Sequence, residues 1–175
     1  MEYTLTAAQT ADSLKADDLL YAAETALSGE KVSLNFNHIM TKLNVTVTTY
    51  GSELGSNPQI KTVQIGGLAK TANFKPEDGT FTAGNDLTGS TVAYNNNGTY
   101  EALVFPAQCE TLTVIVTMDD GRAFTTTVSL AALDSKLEAG TLYNIEFQVG
   151  QDKVTIGGIT ADPWENNAGG ELDTE

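Results

Sequence analysis

The run Leu112-Thr113-Val114-Ile115-Val116-Thr117-Met118, then Asp119-Asp120-Gly121, then Ala123 to Leu130, constrains this chain more than any other stretch. Apolar residues on even positions line one face of a strand, because side chains alternate across a strand with period two. Asp-Gly between two alternating runs is the strongest short-range signal for a hairpin. Leu112, Val114, Val116 and Met118 are expected to face the core. Phe124, Val128 and Leu130 should join them from the return strand.

Comparable runs fill the chain from Lys31 onward. Val32 to Phe36 alternates on even positions and Leu43 to Thr49 on odd ones, so the phase changes across Asn37 to Lys42. Val63 and Ile65 share a face in a run that ends at Gly66-Gly67. Phe74 and Phe81 flank Pro76-Glu77-Asp78-Gly79, where proline presets φ and glycine accepts a positive φ. Thr99 to Phe105 stops at Pro106, and Asn95-Asn96-Asn97-Gly98 reads as a turn. Ala131 to Gly140 reads as one short helical turn closing at glycine. Tyr143, Ile145, Phe147 and Val149 form the best alternating strand, and Val154 and Ile156 a shorter one. About seven or eight strands with at most one short helix read as an all-β, antiparallel sandwich.

The ends differ from this pattern. In residues 1–30, Ala16 to Leu27 reads either as a helix or as a connecting segment anchored by Leu19-Leu20-Tyr21. Residues 31–164 are expected to form the sandwich domain. Residues 165–175 are acidic, Gly-rich and poor in apolar groups, and so are expected to be mobile.

Composition narrows the function. Nine basic residues face 23 acidic ones, a formal charge of -14 that repels nucleic acid and anionic membranes. One cysteine, Cys109, permits no intrachain disulfide. No window approaches the ~20 apolar residues of a membrane span. No basic start followed by an apolar run marks a signal peptide, which fits either a cytosolic chain or a mature or trimmed one.

Chemistry-bearing constellations are not legible. His38 has no local residue placed to orient it, and Glu110 beside Cys109 disfavours a thiolate. A Cys109–His38 pair is the one catalytic combination to test. Asp119-Asp120-Gly121 lacks the further oxygen ligands of a calcium loop. Hence no catalytic, cofactor-binding or metal-binding residue is assigned, no cofactor is expected, and the chain is read as non-enzymatic. His38 is expected to hydrogen-bond backbone at a kink over residues 38–41, with Ile39 or Met40 filling the bend. Trp164 is expected to close one end of the sandwich. The alternative use of Trp164 and the tyrosines is a surface glycan-binding module, which needs aromatics exposed together on one face.

Several segments in order carry a resemblance. Val32 to Val47, "VSLNFNHIMTKLNVTV", resembles an F-x-H-x-x-x-K-L-x-V signature, and Asp18-Leu19-Leu20-Tyr21-Ala22 resembles the "DLLYA" that precedes it. "LVFPAQ" (Leu103 to Gln108), "LEAGTLYNIEFQV" (Leu137 to Val149) and the closing Ile159 to Trp164 follow. Together they resemble the fimbrillin-like fimbrial subunits of Bacteroidales. The resemblance implies a transthyretin-like, Greek-key sandwich, and a chain matching the C-terminal of two such domains. Residues 1–30 would then hold a remnant of the preceding domain, with Tyr3 to Gln9 a candidate strand of it. It also implies a surface fimbrial subunit or adhesin, located in an outer-membrane fimbria, exported as a lipoprotein and partnered by other fimbrial subunits. Host or bacterial receptors and glycans are further partners of that kind.

The same resemblance implies assembly by strand addition, in which one subunit's strand completes another's sheet. The donor remains open. The C-terminal tail offers only Leu172 as an apolar residue, while Tyr3, Leu5 and Ala7 make a weak donor at the other end. Arg122, the one arginine, lies in the hairpin turn and marks no maturation cut.

Overall fold

A computed structural model describes residues 1–22, 34–50, 59–150 and 153–165. In chain order its strands are β1 (Glu2–Thr4), β2 (Leu20–Tyr21), β3 (Asn37–His38), β4 (Thr41–Tyr50), β5 (Ile60–Leu68), β6 (Thr71–Lys75), β7 (Thr80–Ala83) and β8 (Gly89–Val92). They continue as β9 (Tyr94–Asn96), β10 (Thr99–Val104), β11 (Ala107–Gln108), β12 (Thr111–Met118), β13 (Ala123–Ser129), β14 (Lys136–Leu137), β15 (Thr141–Val149) and β16 (Val154–Pro163). Helix α1 (Ala11–Asp17) and a 3-10 turn at Ala131–Leu133 complete the described elements.

Two sheets make the sandwich. One runs β16-β15-β4-β10-β9 and the other β13-β12-β5-β8. A smaller sheet, β1-β6-β7, and the pairs β11-β14 and β2-β3 lie beside them. The pairings are antiparallel except β4 with β15, which run parallel. Neither main sheet closes on itself, so the architecture is an all-β sandwich with edges.

The expected hairpin is β12–β13, with Thr111 opposite Ser129 and Thr117 opposite Ala123. Leu112, Val114, Val116, Met118, Val128 and Leu130 are all buried, and Phe124 packs at their margin. They meet Leu43, Val45, Tyr143, Ile145, Phe147 and Val149 of the opposite sheet in one cluster. Alternation over these strands therefore becomes one continuous core between two sheet faces. Phe74 and Phe81 pair across β6–β7, whose turn holds Gly79 at φ 68. The Asn97-Gly98 turn joins β9 to β10 with both residues at positive φ, as a two-residue hairpin requires.

The sequence reading needs correction in three places. The run ending at Phe36 was expected to point inward, yet Leu34 and Phe36 are 49% and 51% exposed. Among the described residues they lie in no ladder, so period two finds no sheet face there; Val32 lies outside the described residues. Helix α1 begins five residues before the expected span and overlaps only Ala16 and Asp17 of it, because Thr10 and Ser13 cap each other reciprocally at its start. The span then turns into β2 at Leu20, and residues 23–27 lie outside the described residues. The third place is the region from Ala131 to Gly140. Its 3-10 turn ends at Asp134 in the left-handed region, not at Gly140, and β14 follows. The tail beyond Glu165 lies outside the described residues.

Candidate functional site: a seam filled by the N-terminal segment

Residues 1–9 lie along free strand edges of the body. β1 pairs antiparallel with β6, Tyr3 opposite Ala72. Tyr3 meets Phe74 and Phe81 edge-on, with ring centroids at 6.4 and 5.7 Å. Leu5 donates its N–H to Lys70 O at 2.9 Å and packs against both the main core and a second apolar cluster. That second cluster holds Met40, Ala69, Ala72, Leu103 and Phe105.

Beyond Leu5 the segment passes to β8, the edge of the four-stranded sheet. Val92 N–H donates to Ala7 O and Gln9 N–H to Val92 O, both at 2.9 Å, in a parallel bridge centred on Ala8. Gln9 then reaches the other sheet. Its Nε2 donates to Leu103 O and its Oε1 accepts from Leu103 N–H, each at 2.7 Å. β9 ends its pairing with β10 at Tyr94–Glu101, which leaves the backbone of Leu103 without a strand neighbour on that side. The buried carboxamide of Gln9 takes that neighbour's place, since an amide carries the same donor and acceptor as a peptide unit. One residue thus bonds both main sheets. Thr6 Oγ1 donates to Asp17 Oδ2 at 2.7 Å, tying the segment to α1.

The opposite side of the sandwich is built differently. β16, at the edge of the five-stranded sheet, carries an extra residue, Gly157, where the register shifts, and ends in Asp162-Pro163. A bulge, a charge and a proline are devices that blunt an edge against added strands.

His38 is not hydrogen-bonded to backbone through its ring, as the sequence suggested. Its Nδ1 lies 2.7 Å from Asp18 Oδ1, and because a carboxylate only accepts, Nδ1 donates. The ring stacks on Trp164 at 3.7 Å with 5° between planes. Lys42 Nζ lies 5.8 Å from the Trp164 ring and 3.0 Å from Glu101 Oε2. Trp164 N–H donates to Gly140 O. The phase change seen in the sequence is the break between β3 and β4, where Ile39 and Met40 are both buried. Trp164 packs against the second cluster, at that end of the fold.

Cys109 lies in the main core, its single S–H within reach of two acceptors, Thr111 O at 3.1 Å and Gly67 O at 3.4 Å. Burial, reinforced by Glu110, holds the thiol above its ordinary pKa despite a bond at Thr111. His38 and Cys109 thus have separate partners, and the structure does not join them. Among the described residues no group of three His, Cys, Asp or Glu side chains is placed to hold a metal. Tyr100 and Tyr143 are buried, Tyr3, Tyr21 and Tyr94 are half-buried, and Trp164 is half-buried under His38. Nor is any described helix long and apolar enough to cross a membrane.

A family model described as fimbrillin-like matches residues 1–164. The chain belongs to the fimbrillin-like family. Fimbrillin-like membership therefore spans both the sandwich and the N-terminal segment. Solved structures share the fold. A candidate cell adhesion protein of Bacteroides uniformis matches with TM-score 0.77 at 22% identity, over 94% of this chain and 66% of that one. One of Bacteroides ovatus matches with TM-score 0.75 at 20% identity, over 95% and 61%. The tip fimbrial protein of Porphyromonas gingivalis, with a C-terminal truncation, matches with TM-score 0.53 at 10% identity, over 74% and 52%. The chain thus spans two thirds or less of the length of these three. A comparison with curated proteins gives no significant match.

Sequence reasoning missed Gln9 and Asp18. A lone glutamine carries no periodic signal. The only nearby cue is the capping pair Thr10 and Ser13, which stops the strand immediately after it.

Proposed function

We propose that this fimbrillin-like chain is a non-catalytic, cell-surface fimbrial subunit or adhesin that assembles with other fimbrial subunits by strand addition. The observation that carries the reading is the seam. Residues 2–9 make main-chain bonds to β6 and β8, pack Leu5 against both apolar clusters, and complete β10 through Gln9. Backbone pairing of that kind is largely independent of sequence, so a strand from another subunit can take the same place once this one leaves. Head-to-tail addition does not close and therefore extends into a filament. In this reading residues 1–9 are a strand lent to the body, in keeping with a remnant of a preceding domain. An outer-membrane fimbria is the corresponding location.

The test uses a chain lacking residues 1–9 and a labelled synthetic peptide of those nine residues. The peptide should bind the shortened chain, by fluorescence anisotropy, and not the intact one. The shortened chain should also form oligomers or filaments with strand-bearing copies, seen by size-exclusion chromatography and electron microscopy. A folded shortened chain that neither takes the peptide nor leaves the monomer position would refute seam-based assembly.

A further inference from the structure

We infer that the one histidine is a pH-sensitive clasp that tightens the N-terminal segment onto the body on acidification. His38 joins three parts of the chain distant in sequence. Asp18 caps the end of α1, the helix that follows the seam segment and is tied to it by the Thr6–Asp17 bond. His38 itself belongs to β3, which pairs with β2 through Leu20. Trp164 ends β16 and is fixed by its bond to Gly140. The histidine side chain is 12% exposed and that of Asp18 25%.

Neutral and protonated imidazole differ in what they make of this geometry. Neutral His38 keeps one hydrogen bond to Asp18 and an apolar stack on Trp164. Protonated His38 adds an ion pair to Asp18 and places a cation against the face of the indole. Acidification therefore adds this extra hold, and raising the pH removes it. Other charges face the site. Lys42 lies over Trp164 and opposes a second cation there, while Glu101, ion-paired to it, offsets that charge. The clasp acts on the segment's attachment, whether or not another subunit's strand uses the seam.

Two observables read it directly, because the chain has one histidine and one tryptophan. Imidazolium stacked on indole quenches its fluorescence, so emission should fall as pH drops from 8 to 5. Over the same range, hydrogen exchange in peptides covering residues 1–21, corrected for intrinsic rates, should slow about three- to tenfold relative to β15. The comparison with β15 removes the general gain that a chain of charge -14 makes on losing negative charge. His38→Gln should abolish both effects, and Asp18→Asn should keep the fluorescence change and reduce the exchange effect. The inference is overturned by a flat fluorescence titration of the wild-type chain, or by exchange of residues 1–21 that is unchanged or faster at pH 5. It is overturned equally if His38→Gln retains the wild-type pH response. The wild-type measurements decide the matter even if a variant fails to fold.

Discussion

Gln9→Met isolates the stitch between the two sheets. Methionine keeps the length and approximate volume of glutamine and can fill the same space, while losing both polar functions. Gln9 is 6% exposed and Leu103 3%, so water has little access to the groups left behind. Both bonds are 2.7 Å long, and no strand pairs with Leu103 on that side. Each buried donor or acceptor left unpaired costs about 1–3 kcal/mol. The two on Leu103 together give about 2–6 kcal/mol, while the backbone bonds of Gln9 to Val92 remain. For a chain with a urea slope of about 2 kcal/mol/M, the unfolding midpoint should drop by about 1–3 M. Equilibrium unfolding followed by Trp164 fluorescence and by circular dichroism measures it, and hydrogen exchange should show residues 1–9 opening first. If Gln9→Met unfolds within about 0.5 kcal/mol of wild type, as an ordinary surface change does, Gln9 is not completing the β10 edge.

Phe147→Ala removes a fully buried ring from the centre of the core and should cost about 3–5 kcal/mol in urea or thermal unfolding. Cys109 should resist a thiol-specific reagent at pH 7.5 in the folded chain and react fully in urea, since burial raises its pKa and shields it; labelling followed by mass spectrometry reads both states. Burial pushes the Glu101 carboxyl up, but hydrogen bonds from Asn96 and Lys42, with the charge of Lys42, bring it net below the ordinary range. A carboxylate lowered in the folded state stabilises above its unfolded pKa and stops doing so as pH falls through the folded value. The stability difference between wild type and Glu101→Gln should therefore be present at pH 7 and shrink as pH falls below the ordinary carboxylate range in acid titrations of unfolding.

Strands that run through the core were legible residue by residue. Leu112 to Met118 and Tyr143 to Val149 each bury one face against a sheet, so burial and sequence period coincide. Turns were legible where their chemistry is local, as at Asn97-Gly98 and Gly79. Leu34 and Phe36 show the limit. Their alternation matches a strand, but a strand forms only where a partner edge is available. Much the same holds for α1, whose start is set by the Thr10–Ser13 cap and not by the Ala- and Leu-rich run that follows. His38 has its acidic partner twenty residues away and its aromatic partner beyond residue 160, so no local pattern could announce either.

By itself, the sequence determined that this is a β protein with a two-faced core, and through its ordered segments it pointed to the fimbrillin-like family. Period two and turn residues act over a few neighbours, so they are written in the chain directly. Tertiary structure alone decided that residues 2–9 lie in the seam, that a glutamine side chain stands in for a strand, and that His38 rests between Asp18 and Trp164. Those contacts join residues separated by 20 to 126 positions. Their existence depends on which edges the folded sheets leave free, which no local run of residues specifies.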